Sequence, residues 1–530
     1  MTLALLLVGA CADRNDSDPA HHDATQPAPV AATNDQAVGL AASADDDTAE
    51  PLPITWVACA EFLPAPIAIL LPDYIHCGRI QAPLDFQQPA GEQIDVRFAV
   101  ARAENSSTEV VAVHLGGPDP NFNNLTLFTW CANNFLVRDL HPLFNLLFVE
   151  SRGAATSSTP LVCPKEMWGQ FYFGKKMFRN LVVQCLDSLA PENNPAFMST
   201  IDSARDLDLV RQALGVDQLR LFGNSYGSRL MLEYLRLFGA NVSAYLLDSV
   251  FPPQTTGQHD LDRILKTLAA DCDADPACPL SGQKVWQDTG ALLEHLDGRP
   301  DSDGIIWPDS RDLTRDLFHL GLAPDVLAQW PAVLADLENG NNLALSQWHQ
   351  TARNAGWLRK ELPKNPYRFN FDPYSDNVLC IDHPDWMLYS DRDFLLWRLF
   401  PPYVPLEQEE WMSRISCDEL GRRWARTPEV NHEPVASDAP GLMISPRLDQ
   451  NTPWTDAVDS IERGLSAATM VPVNADHAVL VKLGTLESAL SAEDQACLRQ
   501  VATDWLLDPF DPYSRECIQE IARPLSFNGP

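Results

Sequence analysis

The sequence predicts an α/β protein with a mostly parallel central sheet, and two observations carry this prediction. Short apolar runs alternate with helical patterns between residues 94 and 248, which is typical of parallel strands joined by crossover helices. A long segment with helical periodicity, residues 254–425, then precedes two further apolar runs, Gly441–Ser445 and Thr469–Val473. We therefore expect one sheet whose chain is interrupted by a helical insertion before its last strands.

The predicted strands follow from the spacing of apolar residues. Alternation of apolar and polar residues over 94–100 predicts a half-buried strand. Continuous apolar runs at 109–115, 146–150 and 245–247 predict buried strands, the last ending at Asp248. Residues 199–215 read as a helix, with Ser199 or Thr200 as its N-cap and Gly215 as its stop. Parallel strands place their functional residues at their C-terminal ends.

The stretch Val216–Gly239 is the most informative part of the chain. An apolar run enters Gly223-Asn224-Ser225-Tyr226-Gly227, and an amphipathic helical pattern follows it. Strand, tight turn and helix form the context in which a G-x-S-x-G motif holds a nucleophilic serine on a strained turn. The flanking glycines allow strand and helix to approach closely, because they carry no Cβ. Ser225 is therefore the predicted nucleophile.

A serine nucleophile needs a base, and that base needs an orienting carboxylate. Asp449 follows the first late strand and His477 follows the second. The order Ser, acid, His along the chain is that of the α/β-hydrolase fold. The sequence thus predicts an α/β-hydrolase fold with a helical cap inserted before the strand that carries the acid, and a triad of Ser225, Asp449 and His477.

Several motifs resemble the tripeptidyl-aminopeptidase-like branch of the prolyl-iminopeptidase family, over about residues 55–525. They are HCGRIQAPLDFQQPAG, ARDLD, GNSYGSRLMLEYLR, LLDSVFPP, SPRLDQNTP and DHAVL. The resemblance implies that this chain, like the members of that family, is an exported bacterial serine hydrolase with a helical cap. It places Ser225, Asp449 and His477 on the family's triad. It also implies disulfides between Cys59 and Cys77, Cys163 and Cys185, Cys380 and Cys417, and Cys497 and Cys517, and leaves Cys131 over.

Two segments depart from the pattern of that family. The family's glycine-rich H/N-x-G-G-P-G-G segment reads here Leu115-Gly116-Gly117-Pro118-Asp119-Pro120. Gly117 is retained as an expected oxyanion donor, with the N–H of Tyr226 as the second, whereas Asp119 and Pro120 add negative charge and stiffness beside the pocket. The family's D-Q-R-G-x-G-x-S reads here 150–157, ESRGAATS, and keeps Arg152 and Gly153.

Composition restricts the partners of this chain. The 530 residues carry a formal net charge of -34, which argues against nucleic acid as a partner because phosphate binding needs a basic face. We interpret the acidity as a solubility feature, with capture of a cationic substrate, such as a free peptide amine, as the alternative. Paired C-x-x-C elements are absent from the sequence, so a zinc site is not expected. The predicted chemistry needs no metal or cofactor.

The N-terminus resembles a bacterial lipoprotein signal. Residues 1–11 read MTLALLLVGAC, with Val8-Gly9-Ala10-Cys11 as the lipobox, and lipidation of Cys11 would leave the protein anchored to a membrane, periplasmic or at the cell surface. A simple cleaved signal is the alternative. Residues 12–52, rich in Ala, Asp, Pro and Thr, predict a disordered linker. Export favours disulfides among the twelve cysteines, and the local spacing of Cys272 and Cys278 suggests one.

The predicted organisation is therefore a signal (1–11), a linker (12–52), a hydrolase core in two parts (53–253 and 426–530) and the cap between them (254–425). The first functional hypothesis is an exported exopeptidase that releases short units from peptides with a free N-terminus. The second is a carboxylesterase that uses the same triad, because ester and amide cleavage share their intermediates. The third is an inactive lipid-anchored binding protein.

Overall fold

The computed structural model describes most of the chain between residues 52 and 527. Within that range the structure leaves out 64–67, 70, 106, 119–133, 168–169, 171–173, 191–192, 256–260, 297–307, 309–312, 314–316, 318–322, 355–370, 383–413, 450, 484–487, 489, 511–514 and 523. The predicted signal with Cys11, almost all of the predicted linker, Asp119, Pro120 and Cys131 lie outside the described residues.

The strands form one nine-stranded sheet in the order β1-β2-β3-β5-β4-β6-β7-β8-β9. The neighbours from β5 to β9 pair in parallel, whereas β1, β2 and β3 form an antiparallel extension that joins β5. The fold class predicted from the sequence is confirmed. The strands are β1 (Thr55–Val57), β2 (Ile75–Pro83), β3 (Gln93–Ala101), β4 (Val110–His114), β5 (Asn145–Val149), β6 (Leu219–Asn224), β7 (Val242–Asp248), β8 (Gly441–Pro446) and β9 (Ala468–Val473).

Helices cover both faces of this sheet and fill the segment between β7 and β8. The helix Thr200–Ala213 begins where the sequence predicts, because the side chain of its N-cap, Ser199, accepts a hydrogen bond from the N–H of Asp202. The helices are α1 (Lys175–Asp187), α2 (Thr200–Ala213), α3 (Tyr226–Phe238), α4 (Leu261–Ala274), α5 (Gly282–His295), α6 (Pro324–Leu327), α7 (Trp330–Glu338), α8 (Leu343–Asn354), α9 (Pro373–Asp382), α10 (Trp454–Arg463), α11 (Val479–Lys482), α12 (Ala492–Leu507) and α13 (Arg515–Ile521).

The sheet separates two large apolar cores. Successive residues of a strand point to opposite faces, so Ala112 packs in one core and its neighbours Val111 and Val113 in the other. Helices α2 and α3 cover the first face, and α12 covers the second. Burial on both faces explains why the central strands are continuous apolar runs rather than alternating ones.

The described residues between β7 and β8 include helices and no strand. A third apolar core, which includes Trp330 and Leu345, holds helices α4 to α8 together, and Leu448 from the loop after β8 joins it. The cap therefore packs directly against the loop that carries Asp449. Its predicted limits, 254 and 425, remain a prediction. Within the described part of the chain, no helix has both the length and the apolar character that a bilayer span requires.

Disulfides tie each part of the fold locally. The structure joins all five of the expected pairs, and none of the cysteines that it describes is free. The bonds are Cys59–Cys77, Cys163–Cys185, Cys272–Cys278, Cys380–Cys417 and Cys497–Cys517.

Candidate active site

Ser225 occupies the turn between β6 and α3 with backbone angles of φ 53° and ψ -127°. L-residues rarely adopt positive φ, so the turn is strained. The flanking glycines allow the close approach that the motif predicts. A Cβ on Gly223 would lie 2.6 Å from the carbonyl oxygen of Gly227, and a Cβ on Gly227 would lie 2.0 Å from the carbonyl oxygen of His114. The serine hydroxyl is therefore held above the C-terminal edge of the sheet by backbone packing.

The structure brings Ser225, His477 and Asp449 together. The Oγ of Ser225 lies 2.9 Å from Nε2 of His477, and Nδ1 of His477 lies 2.8 Å from Oδ2 of Asp449. Asp449 follows β8 and His477 follows β9, the two strands beyond β7 at the same sheet edge. Hydroxyl, imidazole and carboxylate thus form one continuous hydrogen-bonded chain, which is the geometry of a nucleophile, its base and an orienting acid.

Hydrogen bonds from its own loop hold the carboxylate of Asp449. Its Oδ1 accepts the N–H groups of Asn451, at 2.7 Å, and Thr452, at 3.0 Å. Burial raises the pKa of the Asp449 carboxyl, but the charge of His477 and the hydrogen bonds from His477 and Thr452 outweigh it, so that the net pKa lies below its ordinary value. Asp449 therefore stays ionised and orients the imidazole.

The pKa of the His477 imidazole is likewise set by its contact with Asp449. Burial lowers the pKa of the imidazole, but the nearby Asp449 carboxylate and its hydrogen bond raise it to a net value above the ordinary one. With Nδ1 bonded to Asp449, the neutral ring presents Nε2 as the acceptor for the Ser225 proton. A side-chain exposure of 21% leaves one edge of the ring accessible.

The loop after β4 lies directly against the nucleophile. A Cβ on Gly116 would come within 2.9 Å of the Ser225 Cβ, and Gly116 has φ +100°. Its N–H donates to Nδ1 of His114 over 3.2 Å. Burial lowers the pKa of His114 to about 4, so the ring is neutral and Nδ1 accepts. Gly117 and Tyr226, the expected oxyanion donors, both border the same cavity as Ser225.

The side chain of Tyr226 links the start of α3 to the cap. Its hydroxyl lies 2.9 Å from Oγ1 of Thr200, which donates over 2.8 Å to Oδ2 of Asp382 on α9. Asp382 forms a buried ion pair with Arg229 of α3, with 2.9 Å between Oδ2 and Nε. The helix that begins after the nucleophile is thus fixed to a cap helix by a buried polar network.

The retained arginine of the segment 150–157 is structural. Arg152 is 2% exposed and pairs with Asp206 on α2 through Nε at 2.8 Å. Its Nη1 donates to the carbonyl oxygen of Leu84 over 2.9 Å. Gly153 has φ +85° and would place a Cβ 3.0 Å from Tyr374. Arg152 and Gly153 therefore hold the shape of this loop.

A cavity of about 500 Å³ opens over Ser225 and His477. Phe251 and Leu379 contribute apolar surface to its wall, and no Asp or Glu is among the described residues that line it. The described residues also contain no group of three or more His, Cys, Asp or Glu arranged to hold a metal ion. The site offers a nucleophile and a base beside apolar surface.

Two contributors to this site were not identified from the sequence. Thr452 donates its hydroxyl to Oδ2 of Asp449 over 2.6 Å, and His114 accepts the N–H of Gly116. An aspartate in a loop signals a turn in which its side chain accepts the N–H groups that follow it, but that signal does not give the role of the Thr452 hydroxyl. His114 occupies the first position of the family's H/N-x-G-G-P-G-G pattern, a signal that could have identified it, whereas its acceptance of the Gly116 N–H depends on a loop that folds back over the strand end.

Comparison with known proteins agrees with this architecture. Residues 113–285 match the model of the alpha/beta hydrolase fold. Serine protease Hip1 of Mycobacterium tuberculosis is 25% identical over 252 residues, 43% of this chain and 46% of that protein. Carboxylesterase B of the same species is 28% identical over 283 residues, which are 48% of this chain and 53% of that protein. Tripeptidyl aminopeptidase of Streptomyces lividans is 30% identical over 239 residues, 41% of each.

The matched part of the chain spans about half the length of these curated relatives or less. The chain has the α/β-hydrolase fold, and its homologues carry the names of a protease, an aminopeptidase and an esterase. The resemblance found in the sequence is confirmed at this level.

Proposed function

We propose that this α/β-hydrolase-fold chain is a serine hydrolase, and specifically a peptidase that releases short units from peptide N-termini. One observation carries the proposal: Ser225 Oγ, His477 and Asp449 are joined by hydrogen bonds of 2.9 and 2.8 Å. Names of homologues support the peptide substrate, since both a serine protease and a tripeptidyl aminopeptidase are among them.

In the proposed reaction the Ser225 oxygen attacks the substrate carbonyl carbon while its proton passes to Nε2 of His477. Asp449 stabilises the resulting imidazolium, and the N–H groups of Gly117 and Tyr226 stabilise the oxyanion. His477 then returns the proton to the leaving amine, so that the amine departs neutral and an ester to Ser225 remains. Water, deprotonated by His477, hydrolyses this ester and regenerates the serine.

A carboxylesterase is the second candidate. Its support is the apolar wall formed by Phe251 and Leu379 and the homologue named carboxylesterase B. An aminopeptidase needs a carboxylate for the substrate ammonium group, and none of the described residues that line the cavity supplies one. Recognition of a free amine is therefore the property that separates the two candidates.

The test offers the purified protein three substrate sets: aminoacyl and tripeptidyl anilides, their N-blocked versions, and short p-nitrophenyl esters. We expect cleavage of free-amine anilides and a loss of about 10⁴-fold or more in kcat for Ser225→Ala. Ester turnover without anilide turnover would reject the peptidase and favour the esterase. Equal activity of wild type and Ser225→Ala would reject both and leave a binding protein.

Export and lipid anchoring are also proposed. The support is the MTLALLLVGAC stretch with Cys11 and the five disulfides of the structure, because disulfides persist in oxidising compartments. In a bacterial host, the full chain should enter the detergent phase of a Triton X-114 extract, whereas Cys11→Ala should remain in the aqueous phase. Aqueous partition of both would contradict the anchor.

A further inference from the structure

Three non-glycine residues in the described part of the chain have positive φ, and all three meet at this site. They are Ser225 at 53°, Ser249 at 55° and Ala478 at 65°. A non-glycine residue at positive φ is strained and persists only where the surroundings enforce that conformation. Ser225 is the proposed nucleophile and Ala478 follows the proposed base. Ser249, just beyond the end of β7, has no role in the mechanism given above.

Asp248 and Ser249 hold three consecutive backbone N–H groups that follow His477. The N–H of Ala478 donates to Oγ of Ser249 over 2.8 Å. The next two donate to the Asp248 carboxylate, Val479 to Oδ1 over 3.2 Å and Leu480 to Oδ2 over 2.7 Å. These are the first N–H groups of the short helix α11, which have no partner within it. The start of α11, and with it the loop of His477, is therefore fixed to the end of β7.

The same residue pair also holds the nucleophile and the strand of the acid. The carbonyl oxygen of Asp248 accepts the N–H of Ser225 over 3.0 Å, and the N–H of Ser249 donates to the carbonyl oxygen of Ile444 on β8 over 3.0 Å. Asp248 thus bonds the nucleophile through its backbone and the histidine loop through its side chain.

A carboxylate at this position is costly. Asp248 is fully buried and has no salt-bridge partner among the described residues. Burial raises the pKa of its carboxyl to about 6, against the lowering effect of the N–H of Leu480 and of the charge of His477. A buried ionisable group without a salt bridge lowers the stability of a fold. The hydrogen bonds from Val479 and Leu480 are what hold this carboxylate in place.

We propose that Asp248 and Ser249 are positioning residues that set the distance between His477 and Ser225, with Asp248 adding a second negative charge near the imidazolium that forms during the reaction. This inference rests on the proposed serine hydrolase function and assigns new residues to it. Neither residue touches the substrate carbonyl in the proposed reaction.

The sign of the charge effect follows from the groups that face His477. Asp449 and Asp248 raise the pKa of the imidazole, and Lys482, which is itself paired with Asp476, lowers it. Removal of the Asp248 charge therefore lowers the pKa of His477. Because the base must be neutral, the acid limb of kcat/KM then moves to lower pH.

The experiment compares Asp248→Asn and Ser249→Ala with the control Asp208→Asn. Asp208 is a buried carboxylate that accepts hydrogen bonds from Arg211 and Tyr234 and has no bond to the site. Three readouts are taken: kcat and KM on the best substrate, the pH profile of kcat/KM, and titration of the low-field Nδ1 proton of His477 by NMR. Labelling of wild type and Ser225→Ala by a fluorophosphonate reports on the proposed function separately.

For Asp248→Asn we expect a loss of about 100-fold in kcat with KM nearly unchanged, and a His477 titration at lower pH than in wild type. Ser249→Ala should lose about fivefold in kcat, the equivalent of one hydrogen bond. The control should keep the wild-type titration and pH profile. An Asp248→Asn protein with the wild-type kcat and His477 titration overturns the proposal.

If Asp248→Asn does not fold, Ser249→Ala decides, and a wild-type kcat for that variant overturns the proposal. A wild type that neither turns over substrate nor reacts with the fluorophosphonate instead rejects the proposed function. The NMR titration still measures the influence of Asp248 in that case.

Discussion

The hydroxyl of Thr452 donates a hydrogen bond of 2.6 Å to Oδ2 of Asp449, the same oxygen that lies 2.8 Å from Nδ1 of His477. Thr452 also donates its backbone N–H to Oδ1 of the same carboxylate. One residue therefore satisfies both oxygens of the proposed acid, and this holds its plane toward the imidazole.

Thr452→Val removes the hydroxyl and keeps the shape of the side chain. The pKa of Asp449 should rise, because one of the hydrogen bonds that lower it is lost. We expect kcat to fall about tenfold, since the carboxylate is less firmly oriented, with KM nearly unchanged. Thr452→Ser, which keeps the hydroxyl, is the matched control. An unchanged kcat for the valine variant would contradict this role.

Arg447 links the cap to the loops that carry Asp449 and His477. Its Nη1 donates to Oδ2 of Asp271 on the cap helix α4 over 2.9 Å and to Oδ1 of Asn474 over 2.8 Å. Arg447 lies two residues before Asp449, and Asn474 lies three residues before His477. Arg447→Met should destabilise the fold by about 3 kcal/mol, because it leaves the Asp271 carboxylate buried without its cation.

The double variant Arg447→Met with Asp271→Leu is the control for that prediction. In denaturant unfolding, the free energy of unfolding should fall less for the double variant than for Arg447→Met alone, since no buried charge remains unpaired. A loss of stability in the double variant equal to or larger than that of Arg447→Met would contradict the prediction.

The raised pKa of Asp376 on α9 should make the stability of the fold fall as pH rises. Burial and the neighbouring Asp372 raise its pKa to about 7, against an ordinary value of 3.8. A raised carboxyl pKa means that the folded state binds the proton more tightly than the unfolded state does. The stabilisation that Asp376 gains from this proton is therefore complete below about pH 4 and is lost as pH rises through 7. Asp376→Asn should therefore be more stable than wild type at pH 8, by on the order of 3 kcal/mol, and similar near pH 4.

Unfolding curves at pH 4 and pH 8 test this, with the exposed Asp217→Asn as the control. A stability difference between Asp376→Asn and wild type that does not depend on pH would contradict the prediction.

The disulfides should differ in their contribution to stability. Cys272 and Cys278 are 6 residues apart, whereas Cys380 and Cys417 are 37 apart. From the entropy of loop closure in the unfolded chain, we expect the short loop's disulfide to stabilise the fold by about 2 kcal/mol and the long loop's disulfide by about 4 kcal/mol. Unfolding of the two double Cys→Ala variants in guanidinium measures both values. A larger loss for the Cys272–Cys278 pair would contradict the entropic account.

Much of the fold and the triad was predictable from the sequence alone, because the signals are local. Apolar runs mark strands that are buried on both faces. Gly223 and Gly227 mark a turn in which any Cβ collides with backbone. Asp449 and His477 each follow an apolar run, and the ends of neighbouring parallel strands lie at one edge of a sheet. Ser199 carries its capping signal in its own residue type.

The tertiary structure alone decided which distant groups bond to these residues. Sequence spacing identified Asp248 only as the end of a strand, yet its carboxylate binds N–H groups more than 230 residues away. The contact between Arg447 and Asp271 likewise depends on how the cap packs on the core. Local patterns fix backbone conformation through sterics and burial, whereas hydrogen bonds between distant segments depend on the path of the whole chain. No local pattern encodes that path.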